Sequence, residues 1–117
     1  MTVPTFDAHA VTHLGVARVT LAGELDLDTA PCVWRAVVAC LAEQPKSLCL
    51  DLTHVCFCDC AGVNALLDAR RFVLRAGVDL VVEGIGSQLA RLLDLIGAGD
   101  VLTEGHVAAA TVPARLG

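Results

Sequence analysis

The sequence predicts an α/β fold with a mostly parallel sheet, and three observations carry that expectation. Extended and helical segments alternate along nearly the whole chain. The segment SLCLDLTHV is apolar with little alternation, as expected of a strand covered on both faces, and VDLVVEG is a similar core strand. Between the strands, apolar residues recur at helical spacing behind turn and capping residues.

The run VARVTLAGELD from Val16 alternates through Val19 and Leu21 and reads as a half-exposed strand. The weaker segment from Val3 to His13 is expected to pair with it as an edge hairpin around Leu14-Gly15. After Gly23, ELDLDTAP supplies turn residues, with Asp28 or Thr29 as a helix cap and Pro31 in the first turn. Ala30, Val33, Trp34, Val37, Val38 and Leu41 share one face of a helix over about 30–43, which puts Trp34 in the buried stripe. SLCLDLTHV follows, closed by FCDCAG, and GVNALLDARRFVLRAG reads as the second helix. Its apolar face holds Val63, Leu66, Leu67 and Leu74, with Asn64, Asp68, Arg71 and Arg75 opposite. After the strand VDLVVEG, Ser87 is expected to cap a helix holding Leu89, Leu92, Leu93 and Ile96, stopped by Gly97. GDVLTEG is expected as a short last strand, and Pro113 keeps any helix in the tail short. The expectation is one domain over 1–117, with its core at about 14–104 and a tail over 105–117.

A chain of 117 residues can bury one core without staples. With 56% hydrophobic residues but only 3% aromatics, that core must be built from Val, Leu, Ala and Cys. No apolar run approaches the roughly 18 residues a membrane span needs, and no signal-peptide pattern opens the chain. The expectation is a cytoplasmic protein without membrane contact. A net charge of −5 with eight basic residues argues against nucleic acid and leaves a protein partner or a small ligand.

Cys32, Cys40, Cys49, Cys56 and Cys58 lie in apolar segments and are read as small core side chains. Cys56, Cys58 and Cys60 alternate, so a straight strand would point all three to one face, spread too far apart to converge on a metal. No metal or cofactor site is expected. Cys60 differs, lying past the strand end beside a helix N-terminus that favours negative charge. His9 and His13, in an extended segment, are expected on different faces, and His54 and His106 are scattered. EGIGSQ lacks the third glycine of a dinucleotide fingerprint and reads as an ordinary strand-to-helix turn. No Ser-His-Asp or paired-carboxylate set assembles, so an enzyme is disfavoured. Asp26, Asp28 and Asp59 remain, on two strand-to-helix loops that a parallel sheet brings to the same edge, where partners usually bind. Helix capping alone would account for Asp28 and Asp59.

Those two loops carry a family resemblance. GELDLDTAP, the spacing to DLTHVCFCDCAGVNALL, and a glycine-containing turn before LARLLDLIGAGDVL resemble the STAS domain of bacterial anti-sigma factor antagonists, over about Val16 to Leu102. The resemblance implies a small mixed, partly parallel sheet with helices mainly on one side. It implies a non-enzymatic module that binds an anti-sigma factor of the serine-kinase type and is switched by phosphorylation in the pattern D-S-[ST]-G. Asp59 and Gly62 keep that pattern, whereas Cys60 replaces the acceptor hydroxyl and Ala61 the hydroxyl after it. The partner surface so implied comprises Asp26, Asp28, Asp59, Cys60, Ala61, Gly62, Asn64, Asp68 and Arg71. Two alternatives stand beside it: a thiol-based redox sensor at Cys60, and a STAS subunit of another complex such as a lipid-transport assembly. A homodimer is an open expectation.

Overall fold

The structure is a computed structural model and describes residues 6–107. Positions 3–5 of the expected first strand and the tail from 108 lie outside the described residues. Strand β1 (Phe6–His13) and strand β2 (Val16–Leu25) form the expected antiparallel hairpin. Leu14 and Gly15 both take positive φ, at 51° and 81°, which gives the two-residue connection a twist matching that of the strands.

Strand β3 (Ser47–Cys58) lies parallel to β2, and β4 (Asp79–Glu83) parallel to β3. Strand β5 (Gly105–Val107) closes antiparallel to β4, so the sheet runs β1-β2-β3-β4-β5. Helix α1 (Ala30–Leu41) links β2 to β3, and α2 (Cys60–Arg75) links β3 to β4. Right-handed crossovers between successive parallel neighbours put both helices on one side of the sheet. Helix α3 (Ser87–Leu95) packs against β3. One apolar cluster joins Leu21, Leu50, Leu80, Val37, Leu66 and Leu93, and so ties all three helices to the sheet.

The other side of the sheet is polar. In β2, Ala17, Val19 and Leu21 are buried while Arg18 is exposed. Arg18 crosses the outer face to Asp51 at 2.9 Å and Glu83 at 3.1 Å, lacing three parallel strands together. The Asp51 carboxyl is held below its usual range, first by hydrogen bonds from Thr53, with Arg18 adding to the effect.

Several expectations are corrected. Trp34 is not in the buried stripe: Val33, Val37 and Cys40 face the sheet, at i, i+4 and i+7. Trp34 is rotated off that face onto Phe72 of α2, with ring centroids 4.5 Å apart and 45% of its surface exposed. Ser87 does not cap α3; Gly86 holds the cap position in extended conformation, without a side-chain bond. The last strand begins at Gly105 because Val101 and Leu102 are taken by turns back to Ala98, which bury Leu102. His9 and His13 share the outer face of β1 after all, since residues four apart on a strand point the same way. Gly97, at φ 76°, does end α3.

Candidate functional site

Two turns sit side by side where β2 and β3 end. They are joined directly, since the Asp59 amide donates to the Leu25 carbonyl at 3.1 Å. The second turn reads as the sequence suggests. Asp59 is the N-cap of α2 in extended conformation, and its Oδ1 accepts from the Gly62 amide at 2.9 Å. Gly62 is required by packing, because a Cβ there would clash with the Leu25 carbonyl oxygen and lie 2.8 Å from Cys58 Sγ. Only glycine lets the start of α2 lie this close to the end of β2.

The first turn differs from expectation. Neither Asp28 nor Thr29 caps α1 through its side chain; Thr29 occupies the cap position in helical conformation. Asp26 organises the turn instead, its Oδ1 accepting from the Asp28 amide at 3.0 Å, the Thr29 amide at 3.1 Å and the Thr29 hydroxyl at 3.1 Å. Asp28 projects into solvent.

The three thiols do not share a face. The pairing of β2 with β3 shifts register between Gly23/Glu24 and Val55/Phe57, which leaves Cys56 unopposed. Together with the earlier shift between Thr20/Ala22 and Asp51/His54, this bulge leaves Cys56 facing outward, correcting its assignment to the core, and Cys58 facing inward. Burial, reinforced by the Asp59 charge, pushes the Cys58 thiol up to about 12, so it stays protonated and inert at neutral pH. Cys60 is exposed on the first turn of α2.

Sequence reasoning missed Gln88. β3 outruns β4, whose pairing ends at Asp51, so the far end of β3 has no strand partner on that side. Gln88 of α3 fills that gap: its Oε1 accepts from the Cys58 amide at 3.0 Å and its Nε2 donates to the Cys58 carbonyl at 2.8 Å. A single amide thus anchors the residue before Asp59. No local pattern announces such a contact across 30 residues.

Around the two turns, Asn64, Asp68 and Arg71 lie exposed on α2, with Asp68 and Arg71 paired at 3.2 Å. A groove of about 320 Å³ runs between α1 and α2, floored by Ala61 and Ala65 and walled by Leu27, Pro31 and Trp34. Leu27 is 74% exposed. Its apolar character was visible in the sequence, but its position at a turn tip gave no sign of the groove. Asp26, Asp28, Asp59, Cys60, Ala61 and Gly62 thus lie in or directly after the two adjoining turns, Asn64 and Asp68 follow along the groove on α2, and Arg71 lies a turn further on.

A mixed sheet with two helices on one side and an exposed edge at adjoining strand-to-helix turns is the architecture of a STAS domain. A family model described as "Mlab, STAS domain" matches residues 9–104. The chain belongs to the STAS-domain family of the anti-sigma factor antagonists. It is 30% identical to an anti-sigma-B factor antagonist of Listeria monocytogenes, over 74% of this chain and 76% of that one. It is 33% identical to the anti-sigma-F factor antagonist RsfB of Mycobacterium tuberculosis, over 73% and 69%. Among solved structures, an anti-sigma factor antagonist from Mycobacterium paratuberculosis superposes with a TM-score of 0.71 at 26% identity, covering 87% of each chain. A sulfate transporter family protein from Wolinella succinogenes superposes at 0.66 with 25% identity, over 80% and 75%.

Proposed function

We propose that this chain is an anti-sigma factor antagonist whose partner is an anti-sigma factor of the serine-kinase type, and that its capturing form is not switched off by phosphorylation at the usual position. The observation that carries this reading is the exposed Cys60 on the first turn of α2, followed by the half-buried Ala61 in the floor of the apolar groove, with no hydroxyl at either residue. The nearby Thr29 hydroxyl is engaged within its own turn, accepting from the Asp26 amide at 2.9 Å and sharing its one proton between Asp26 Oδ1 and the Glu24 carbonyl. A phosphate at position 60 would add about −1.5 to −2 charges next to Asp59, in the middle of the surface. A thiol leaves that surface in one charge state towards a kinase. The module acts by binding and needs no catalytic group.

The test is incubation with such a kinase and labelled ATP. The native chain is expected to stay unlabelled while still capturing the kinase, and Cys60→Ser to become labelled and lose capture. Stoichiometric phosphate on the native chain near this turn would overturn the reading.

A second reading is a STAS subunit of an assembly outside sigma-factor control, such as a lipid-transport complex. The likeness to a sulfate transporter family protein supports a STAS role outside sigma-factor control. Partners recovered by pull-down of the native chain separate the two readings.

A further inference from the structure

We propose that the chain forms a two-fold dimer by pairing β1 antiparallel with β1 of a second copy, which continues the sheet across the contact. β1 is an outer strand of eight residues, matched to β2 from Phe6↔Gly23 to His13↔Val16 without a register shift. Edge strands are usually protected by lysine, proline or a bulge, and β1 has none of these over 6–13. In a two-residue hairpin the closing pair, here His13 with Val16, exchanges both hydrogen bonds. The bonds alternate from there, so Asp7, His9, Val11 and His13 bond inward to β2. The amides and carbonyls of Ala8, Ala10 and Thr12 point away from the sheet, towards an incoming strand.

The side chains choose the register. A two-fold at Ala10 pairs Ala10 with itself and Ala8 with Thr12 of the second copy, through the outward backbone groups. It also sets Asp7 opposite His13 twice and His9 opposite Val11 twice, in the closely spaced non-hydrogen-bonded positions. All four of these side chains are exposed on the outer face. Moving the axis to residue 9 or 11 would stack His9 or Val11 on its own copy and leave Asp7 without a histidine. A two-fold at Ala8 would also set Asp7 opposite a histidine, His9, but would pair only residues 6–10 of β1 with themselves. The register at Ala10 pairs the whole of 7–13 and gives each Asp7 carboxylate an imidazole partner. On the helix side, a hollow of about 410 Å³ flanks the edge between Ala8, Ala10, Cys32 and Arg35. It lies where the second strand would place its small even-numbered side chains, so the pairing meets no obstruction there.

Sedimentation equilibrium over micromolar to near-millimolar protein is expected to show a monomer–dimer equilibrium. Ala10→Pro removes an outward N–H and no bond to β2, so the monomer keeps its melting curve. Losing both central bonds is expected to raise the dissociation constant roughly tenfold to a hundredfold. Asp7→Lys is expected to weaken the dimer, and the double variant Asp7→Lys with His13→Asp to recover it. A native chain that stays monomeric throughout overturns the proposal and leaves this edge to a strand of another protein. So does a dimer that Ala10→Pro and Asp7→Lys leave equally tight, or one that the double variant fails to restore.

Discussion

The turns at residues 26–29 and 59–62 are written alike, each an acid shortly after a strand and just before a helix, yet they are held in opposite ways. The first is closed on itself: Asp26 and Thr29 satisfy one another, and the Thr29 hydroxyl reaches back only to Glu24. The second is held from outside, by the Leu25 carbonyl, by the absence of a side chain at Gly62, and by Gln88 from α3. A self-closed turn can be altered with local consequences. A turn wedged between β2 and α3 transmits any change to its neighbours, which suits the one that carries Cys60.

The largest expected effect comes from breaking the wedge. Gly62→Ala would place a methyl group against the Leu25 backbone and Cys58 Sγ, and is expected to cost about 2–3 kcal/mol in urea unfolding. A stable Gly62→Ala chain with an unchanged midpoint would show that the two turns are not in close contact.

Gln88→Ala follows, at about 1–2 kcal/mol, since two hydrogen bonds are lost but water reaches this exposed position. Hydrogen exchange at the Cys58 amide should quicken. Protection at the level of the native chain would mean that the clamp is not formed.

Asp59→Ala is expected to cost about 1 kcal/mol, the usual loss for an N-cap. Capture of a serine-kinase anti-sigma factor should fall by far more than that loss of stability explains. Equal capture by variant and native chain would remove Asp59 from the surface.

The smallest effect tests the self-closed turn. Asp26→Ala and Thr29→Val each are expected to cost about 0.5–1 kcal/mol, and together less than their sum, because both remove the same mutual bond. Strict additivity would show that the pair does not act as one unit.

The order of strands and helices was legible because each element carries its own period: alternation in β2, continuous apolar character in β3, and i, i+4 spacing in α2. The hairpin at Leu14-Gly15, the cap at Asp59 and the stop at Gly97 were legible too, since backbone conformation and capping chemistry act over three or four residues. The resemblance added the family and the mixed sheet. What the sequence by itself determined is thus everything set by short-range geometry. Tertiary structure decided the rest. Helical spacing admits Trp34 to the apolar stripe of α1, and only the rotation of α1 against β2 and α2 turns it out onto Phe72. Two bulges opposite β2 decide that Cys56 faces solvent and Cys58 the core, where a regular strand would align them. Gln88 and Gly62 have roles only because α3 reaches the end of β3 and α2 starts against Leu25. Contacts between residues about 30 or more positions apart depend on how whole elements are placed, and no local spacing encodes that placement.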